Sequence, residues 1–272
     1  MIAALNGIEI YYEISGNGEP LVLVEGLGYS SWMWEFQRSL SRHLKLVIYD
    51  NRGVGKSSKP ESAYTMNDFV NDLLGLVDHI GLDSFFLLGA SMGGMIAQEF
   101  SLRHAERVKG LILSSTNFGI RSKQPSVQIL KILATNPSEM SIYERMSPAF
   151  SKQTLRSRRD LVEKVIHLRL ASNERVMQLQ QIGAVLNFDS YDRLKMLKIP
   201  VLILTGEDDS VVSPENSSLI HGLLASSRLV KFRSAGHLVN IERSDDYNGQ
   251  ILTFIKQVSS GNFIPQKDEV VI

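Results

Sequence analysis

Cysteine is absent from all 272 residues, which excludes thiol catalysis, disulfide bonds and Cys-ligated zinc without fixing the redox compartment. Net charge is absent too, since 29 Lys and Arg balance 29 Asp and Glu. With no overall field to attract polyanions, nucleic acid is not an expected partner. Long apolar runs are also missing. Leu21 to Val24, Phe85 to Leu88 and Val201 to Leu204 are strand-sized, far short of the roughly 20 residues a membrane span needs. The first twenty residues, MIAALNGIEIYYEISGNGEP, have no basic start and no long apolar stretch. Neither a signal peptide nor a transit peptide is expected, and the expected location is the cytoplasm. What remains is a core-forming mixture of 43% hydrophobic and 21% charged residues, which can bury a sizeable core. Its length suits either one large α/β domain with an insertion or two average domains.

Ile8 to Ile14 and Leu21 to Val24 flank a Gly16-Asn17-Gly18 turn, which predicts an antiparallel start. The rhythm then changes. Leu46 to Tyr49, Phe85 to Leu88, Val108 to Leu113, Ile199 to Leu204 and Leu229 to Phe232 are continuous apolar runs, as expected of strands buried on both faces. Amphipathic stretches of helix length separate most of them: Ser31 to Ser41, Met66 to Ile80, Met92 to Arg103, Pro214 to Leu224 and Asp245 to Val258. The alternation predicts an α/β fold, a mostly parallel sheet with helices on both faces.

Between about Asn117 and Ser190 no strand-like run occurs, and the chain reads as helices broken at Pro125, Pro137 and Pro148. This predicts a helical cap, residues 117–190, inserted into a core made of residues 1–116 and 191–272. Eleven Lys or Arg against six acids give the insertion a charge of plus five, so the rest of the chain carries minus five. A helical insertion at the carboxyl ends of the strands would cover the place where open α/β sheets bind ligands. Residues 259–272 read as a tail.

Gly89-Ala90-Ser91-Met92-Gly93 fits G-x-S-x-G. In a chain with 32 serines and 20 glycines the bare pattern arises by chance about 0.17 times, so its context decides its meaning. It directly follows the apolar run ending at Leu88 and opens the helical stretch MGGMIAQEFSLR. Strand, sharp turn and helix in that order are what a nucleophile elbow requires. A serine needs a base, and the base needs an orienting carboxylate. The loop Thr205-Gly206-Glu207-Asp208-Asp209 follows one buried run, and Ser234-Ala235-Gly236-His237 follows another. Serine, acid and histidine thus occur in α/β-hydrolase order, each after a strand.

These features resemble the α/β-hydrolase superfamily over nearly the whole chain to about Val258. Glu25-Gly26-Leu27-Gly28, the segment from Asp50 to Ser57, GASMGG at 89–94, YDRLKMLKIP at 191–200, GEDDSVVSPENS at 206–217 and GHLVNIERSDDYN at 236–248 are similar to its small cofactor-free esterases, lactonases and haloperoxidase-like enzymes. The resemblance implies Ser91 as nucleophile and His237 as general acid/base. It selects Asp209 over Asp208 as the orienting carboxylate, because the family places that acid three residues after the glycine. It further implies an oxyanion hole at the backbone amides of Leu27 and Met92, a small-molecule ester or lactone as substrate, and no cofactor or metal. A C–C bond hydrolase, a perhydrolase or non-haem haloperoxidase on the same triad, and a slow-turnover binding or signalling relative are the alternatives. The resemblance does not bear on oligomeric state. One position departs from the family: Glu25 stands where a histidine is common. A carboxylate beside an oxyanion is repulsive unless it points away or is paired, so Glu25 is expected to be structural, hydrogen-bonded beneath the loop.

Gly53-Val54-Gly55-Lys56-Ser57 ends like a phosphate-binding loop, but that loop would need glycine where Asp50 stands. The resemblance instead implies that this segment is the loop after a central strand, with Asp50 and Arg52 bracing the region near the site. His43, His79, His104, His167 and His221 are expected to be surface or packing residues. Arg156-Ser157-Arg158-Arg159 reads as a solvated helix face, with an anion contact as the second reading. Trp32 and Trp34 are expected in the core, with a place in the pocket lining as the second reading for one of them.

Overall fold

A computed structural model describes residues 1–135, 140–171 and 177–272. Its strands are β1 (Ile2–Leu5), β2 (Ile8–Ser15), β3 (Pro20–Val24), β4 (Lys45–Tyr49), β5 (Phe85–Ala90), β6 (Val108–Ser114), β7 (Val201–Gly206), β8 (Ser227–Phe232) and β9 (Val270–Val271). They form one sheet in the order β1-β2-β4-β3-β5-β6-β7-β8-β9. From β4 to β9 every pairing is parallel, the arrangement the apolar runs predict. The strand order reverses around β3, which lies between β4 and β5. Ligands of open α/β sheets bind beyond the carboxyl ends of strands at such a switch point.

The antiparallel start is present, but with different partners from those the Gly16-Asn17-Gly18 turn suggests. β2 pairs with β1 and with β4, while β3 joins β4 and β5. The true hairpin turns at Asn6-Gly7, where both residues have positive φ (52° and 77°). Asn-Gly is the pair that such a two-residue turn favours.

Helices α1 (Met66–His79), α2 (Met92–Arg103) and η1, a 3₁₀ helix (Ser31–Arg42), link the first strands. The sequence pattern anticipates a helix at Ser31 to Ser41 but not its 3₁₀ winding. Between β6 and β7 lie α3 (Val127–Ala134), α4 (Ile142–Met146), α5 (Lys152–Ser157), α6 (Arg159–Ala171), α7 (Gln178–Leu186) and α8 (Tyr191–Leu194). Then come α9 (Glu215–Leu223), α10 (Val239–Glu242) and α11 (Ser244–Ser259). Pro125 precedes α3, and Pro148 sits in a 3₁₀ turn between α4 and α5. The expected break at Pro137 lies outside the described residues.

Alternating strand residues divide the core. Val22, Val24, Phe85 and Leu87 face Phe69, Leu73, Ile96 and Phe100 of α1 and α2. Leu21, Leu23, Phe86 and Leu88 face Trp34 of η1 and Tyr247, Ile251 and Phe254 of α11. Truncating one of these aromatic residues to alanine costs about 3–5 kcal/mol. A third cluster joins Met146, Phe150, Leu161 and Val165 to Trp32, Leu238 and Ile241, docking the helices between β6 and β7 against the segment after β8. The two ends of that helical stretch meet: Gly119 bridges Asp189, Ile120 N–H donates to Phe188 O (3.0 Å) and Ser190 N–H to Phe118 O (3.0 Å). Part of the carboxyl-terminal tail is ordered as β9 beside β8, with Lys231 and Glu269 paired at 2.6 Å.

Candidate active site

Ser91 stands between β5 and α2 with φ 54° and ψ −119°, in a region that non-glycine residues avoid. Tight packing holds it there. A Cβ at Gly89 would strike the Gly93 carbonyl, and one at Gly93 would strike the carbonyls of Val24 and Glu25. Only glycine at both positions lets α2 approach the sheet this closely. Ser91 N–H donates to Ser114 O (2.9 Å), and the Thr116 hydroxyl donates to Ser91 O (2.6 Å). The turn is therefore pinned from β6 as well.

His237 follows β8 and is nearly buried. Its Nδ1 lies 2.8 Å from Asp209 Oδ2, so an Nδ1–H donates to the carboxylate and Nε2 is the ring nitrogen that this contact leaves unengaged. Asp209 Oδ1 accepts the amides of Val211 (2.9 Å) and Val212 (2.8 Å), which fixes the carboxylate. Asp208 is exposed, and its N–H donates to Ala235 O (2.9 Å). Of the two adjacent aspartates, only Asp209 meets the histidine.

The loop after β3 lies alongside Ser91: a Cβ on Gly26 would sit 3.2 Å from Ser91 Cβ. Tyr29 N–H donates to Gly26 O (3.2 Å), and Gly28 N–H donates to Gln181 Oε1 (2.8 Å). Gln181 is fully buried, and its Nε2 donates to Arg52 O (3.1 Å). Glu25 is fully buried too, with Oε1 accepting Asn51 N–H at 2.5 Å, so this carboxylate is bonded to the neighbouring strand end. Burial, reinforced by the negative charges of Glu25 and Asp72, holds the Tyr49 phenol well above its ordinary pKa.

The phosphate-loop lookalike is tied to itself and its surroundings. Asp50 accepts Ser31 N–H (2.7 Å) and Lys56 N–H (2.8 Å), and Arg52 makes a buried two-point contact with Asp72 (2.6 and 2.8 Å). Burial raises the pKa of Asp72 while the guanidinium opposes that rise. Trp34 lies fully in the core. Trp32 packs against Tyr29 in a tilted contact with ring centres 5.1 Å apart.

Ser91 and His237 line one cavity of about 240 Å³, together with Leu27, Met92 and Asn117. The helices between β6 and β7 contribute mostly apolar residues to its lining, including Ile129, Ile142, Met146 and Val185. Two cations, Arg145 and Arg169, interrupt that lining.

Two positioning residues lie outside the sequence expectations. Gln181 is one. Glu242 is the other: Oε1 accepts Gly236 N–H (2.7 Å), and Oε2 accepts Ser151 N–H (2.9 Å) from the start of α5. Burial raises its pKa, and these hydrogen bonds partly oppose the rise. No local motif marks either residue, because their partners are distant in the chain.

The alpha/beta hydrolase fold family matches residues 19–244. A Yersinia enterocolitica protein named Putative carbamate hydrolase RutD is 27% identical over 260 residues, which cover 90% of this chain and 92% of that protein. The solved enol-lactonase of Burkholderia xenovorans has a TM-score of 0.83 at 26% identity, covering 94% of this chain and 100% of its own. A thermophilic esterase from Thermogutta terrifontis has a TM-score of 0.79 at 27% identity, covering 95% and 98%. The chain belongs to the alpha/beta-hydrolase fold family and is an enzyme of that family. Among the described residues no helix is long and apolar enough to cross a membrane.

Proposed function

We propose that the protein is a serine hydrolase of carboxylic esters or lactones, using Ser91, His237 and Asp209. The carrying observation is the His237–Asp209 hydrogen bond at the edge of the cavity that Ser91 also lines. In this reading Ser91 Oγ attacks the substrate carbonyl carbon while His237 Nε2 takes its proton. The same proton then goes to the departing alkoxide, leaving an acyl-enzyme. His237 next removes a proton from water, whose oxygen attacks the acyl carbon; the acyl–Oγ bond breaks, the acid leaves, and His237 returns the proton to Ser91 Oγ. Asp209 keeps the imidazole in the required tautomer and balances the imidazolium.

The oxyanion of each tetrahedral intermediate is assigned to the Leu27 and Met92 amides. Gly28 and Tyr29 N–H groups are already engaged, which supports Leu27 as the loop's donor. Met92 opens α2, so the helix dipole adds to its effect. Residues 117–190 act as a cap on a core of residues 1–116 and 191–272. The paired ends of the insertion and its contribution to the cavity wall support that division. Names such as enol-lactonase and esterase among the relatives favour ester and lactone substrates.

An uncharged fluorophosphonate is the direct test. It should label wild-type protein at Ser91 and fail to label Ser91→Ala. Absence of labelling in the wild type would sink the nucleophile assignment. A panel of esters, lactones, carbamates and vinylogous diketones then ranks the scissile bonds. A faster C–C cleavage than ester cleavage would overturn the substrate class while leaving the triad.

A further inference from the structure

Arginines between β6 and β7 are mostly engaged with partners. Arg121 pairs with Asp189 and Asp192, Arg159 with Glu163, and Arg158 donates to Glu242 O. Arg145 on α4 differs. It is half-buried and faces the cavity, yet among the described residues no carboxylate lies within ion-pair distance of it. Burial and the neighbouring Arg169 guanidinium both hold its pKa below the ordinary arginine value. Among the described residues no Asp or Glu lines the cavity. A buried or half-buried charge costs free energy unless it is paired. Here the charge of Arg145 faces the cavity with no carboxylate partner among the described residues, and the like charge of Arg169 lies near it.

We propose that the cavity takes an ester or lactone bearing a second, free carboxylate, which Arg145 binds with Arg169 beside it. This rests on the Ser91 reading above and deepens it. One planar guanidinium can grip a carboxylate through two parallel N–H bonds, and the apolar remainder of the wall receives the hydrocarbon between the two functional groups. The volume of about 240 Å³ lies below the usual lower bound of roughly 300 Å³ for ligand pockets, which fits a short dicarboxylic acid derivative. The run Arg156 to Arg159, the cationic cluster most visible in the sequence, does not line the cavity.

Two chromogenic esters of equal length test the proposal: mono-p-nitrophenyl glutarate, which carries the carboxylate, and p-nitrophenyl pentanoate, which lacks it. Wild-type kcat/KM should favour the glutarate by about 10- to 100-fold, the range expected of a charged hydrogen-bonded contact. Arg145→Gln should bring the ratio toward one. Arg145→Lys should fall between, since a point charge replaces the fork. Arg156→Gln, on the exposed face, should leave the ratio unchanged. A wild-type ratio near one overturns the proposal without any variant. So does a preference that survives Arg145→Gln, or one that Arg156→Gln weakens equally, because the lid's overall charge would then be responsible. Uncharged fluorophosphonate labelling separates the two levels. Labelled Ser91 with a ratio near one defeats the carboxylate site alone, whereas unlabelled Ser91 defeats the hydrolase reading with it.

Discussion

The strand side and the helix side of the cavity are built by different means. On the strand side, Ser91, Asp209 and His237 sit in short loops immediately after β5, β7 and β8, and hydrogen bonds fix the serine carbonyl and the carboxylate. The helix side is a packed apolar surface carrying two guanidiniums, supplied by elements far in sequence from the three residues of the proposed triad. A sheet with aligned strand ends presents the same chemistry wherever it recurs. Packing between helices changes with each set of side chains. Relatives named as a lactonase and an esterase share this fold at about a quarter identity, as expected if the strand side sets the reaction and the helix side sets the substrate.

Substitutions can break or sharpen this contrast. On the strand side Ser91→Ala should lower kcat by about four or more orders of magnitude, measured on any ester the enzyme accepts. Asp209→Asn should cost about 10⁴-fold, since the amide stabilises the wrong imidazole tautomer. A loss of only a few fold would reassign the orienting acid. Gln181→Leu reaches the strand side from the helix side. Releasing Gly28 N–H should lower kcat by up to about 10²-fold, the scale of a 1 Å misplacement. Fluorophosphonate labelling should slow in proportion.

Glu242→Gln tests the other bridge. Two N–H groups point at its two oxygens, so the amide must face one of them with its own NH₂. The loss should be about 1–3 kcal/mol of unfolding free energy. Because burial raises the folded-state pKa of Glu242 above its ordinary 4.5, the folded protein binds the proton more tightly than the unfolded chain. Its contribution to stability is thus greatest below pH 4.5 and declines as pH rises through the raised value. Wild type minus variant, from urea melts across that window, should shrink with rising pH. A difference that grows would contradict the assignment. The smallest effect is expected at exposed Asp208, where Asn should change stability by less than about 0.5 kcal/mol and leave kcat within a few fold.

The sequence makes the strand side legible and most of the helix side illegible, for one physical reason. G-x-S-x-G, the acidic loop and the Gly236-His237 step each lie within a few residues of an apolar run, so the strand pattern together with the family resemblance singles them out as candidates. Helices α1, α2, α9 and α11 fall where their amphipathic stretches predict, because their partner is the adjacent sheet. The expected partner for β2 fails because pairing is decided by the whole sheet, and the Asn6-Gly7 hairpin goes unnoticed beside the more glycine-rich turn at 16–18. Gln181 meets Gly28 across 153 residues and Glu242 meets Ser151 across 91. Nothing local distinguishes either side chain from an ordinary helical one. Arg145 is likewise unmarked among eleven basic residues of its segment, and only folding brings it to the cavity.

Gln181 also makes two distant events thermodynamically reciprocal. Its carboxamide spans the amide of Gly28 and the carbonyl of Arg52, so α7 cannot move outward without surrendering both. Any ligand that stabilises the present shape of the glycine loop must, by the same free energy, hold α7 down, and any ligand that draws α7 inward must firm the loop. Amide hydrogen exchange at Gly28 is therefore a gauge of helix position as well as of loop order. It should slow on trapping of Ser91 in the wild type, and the slowing should vanish in Gln181→Leu.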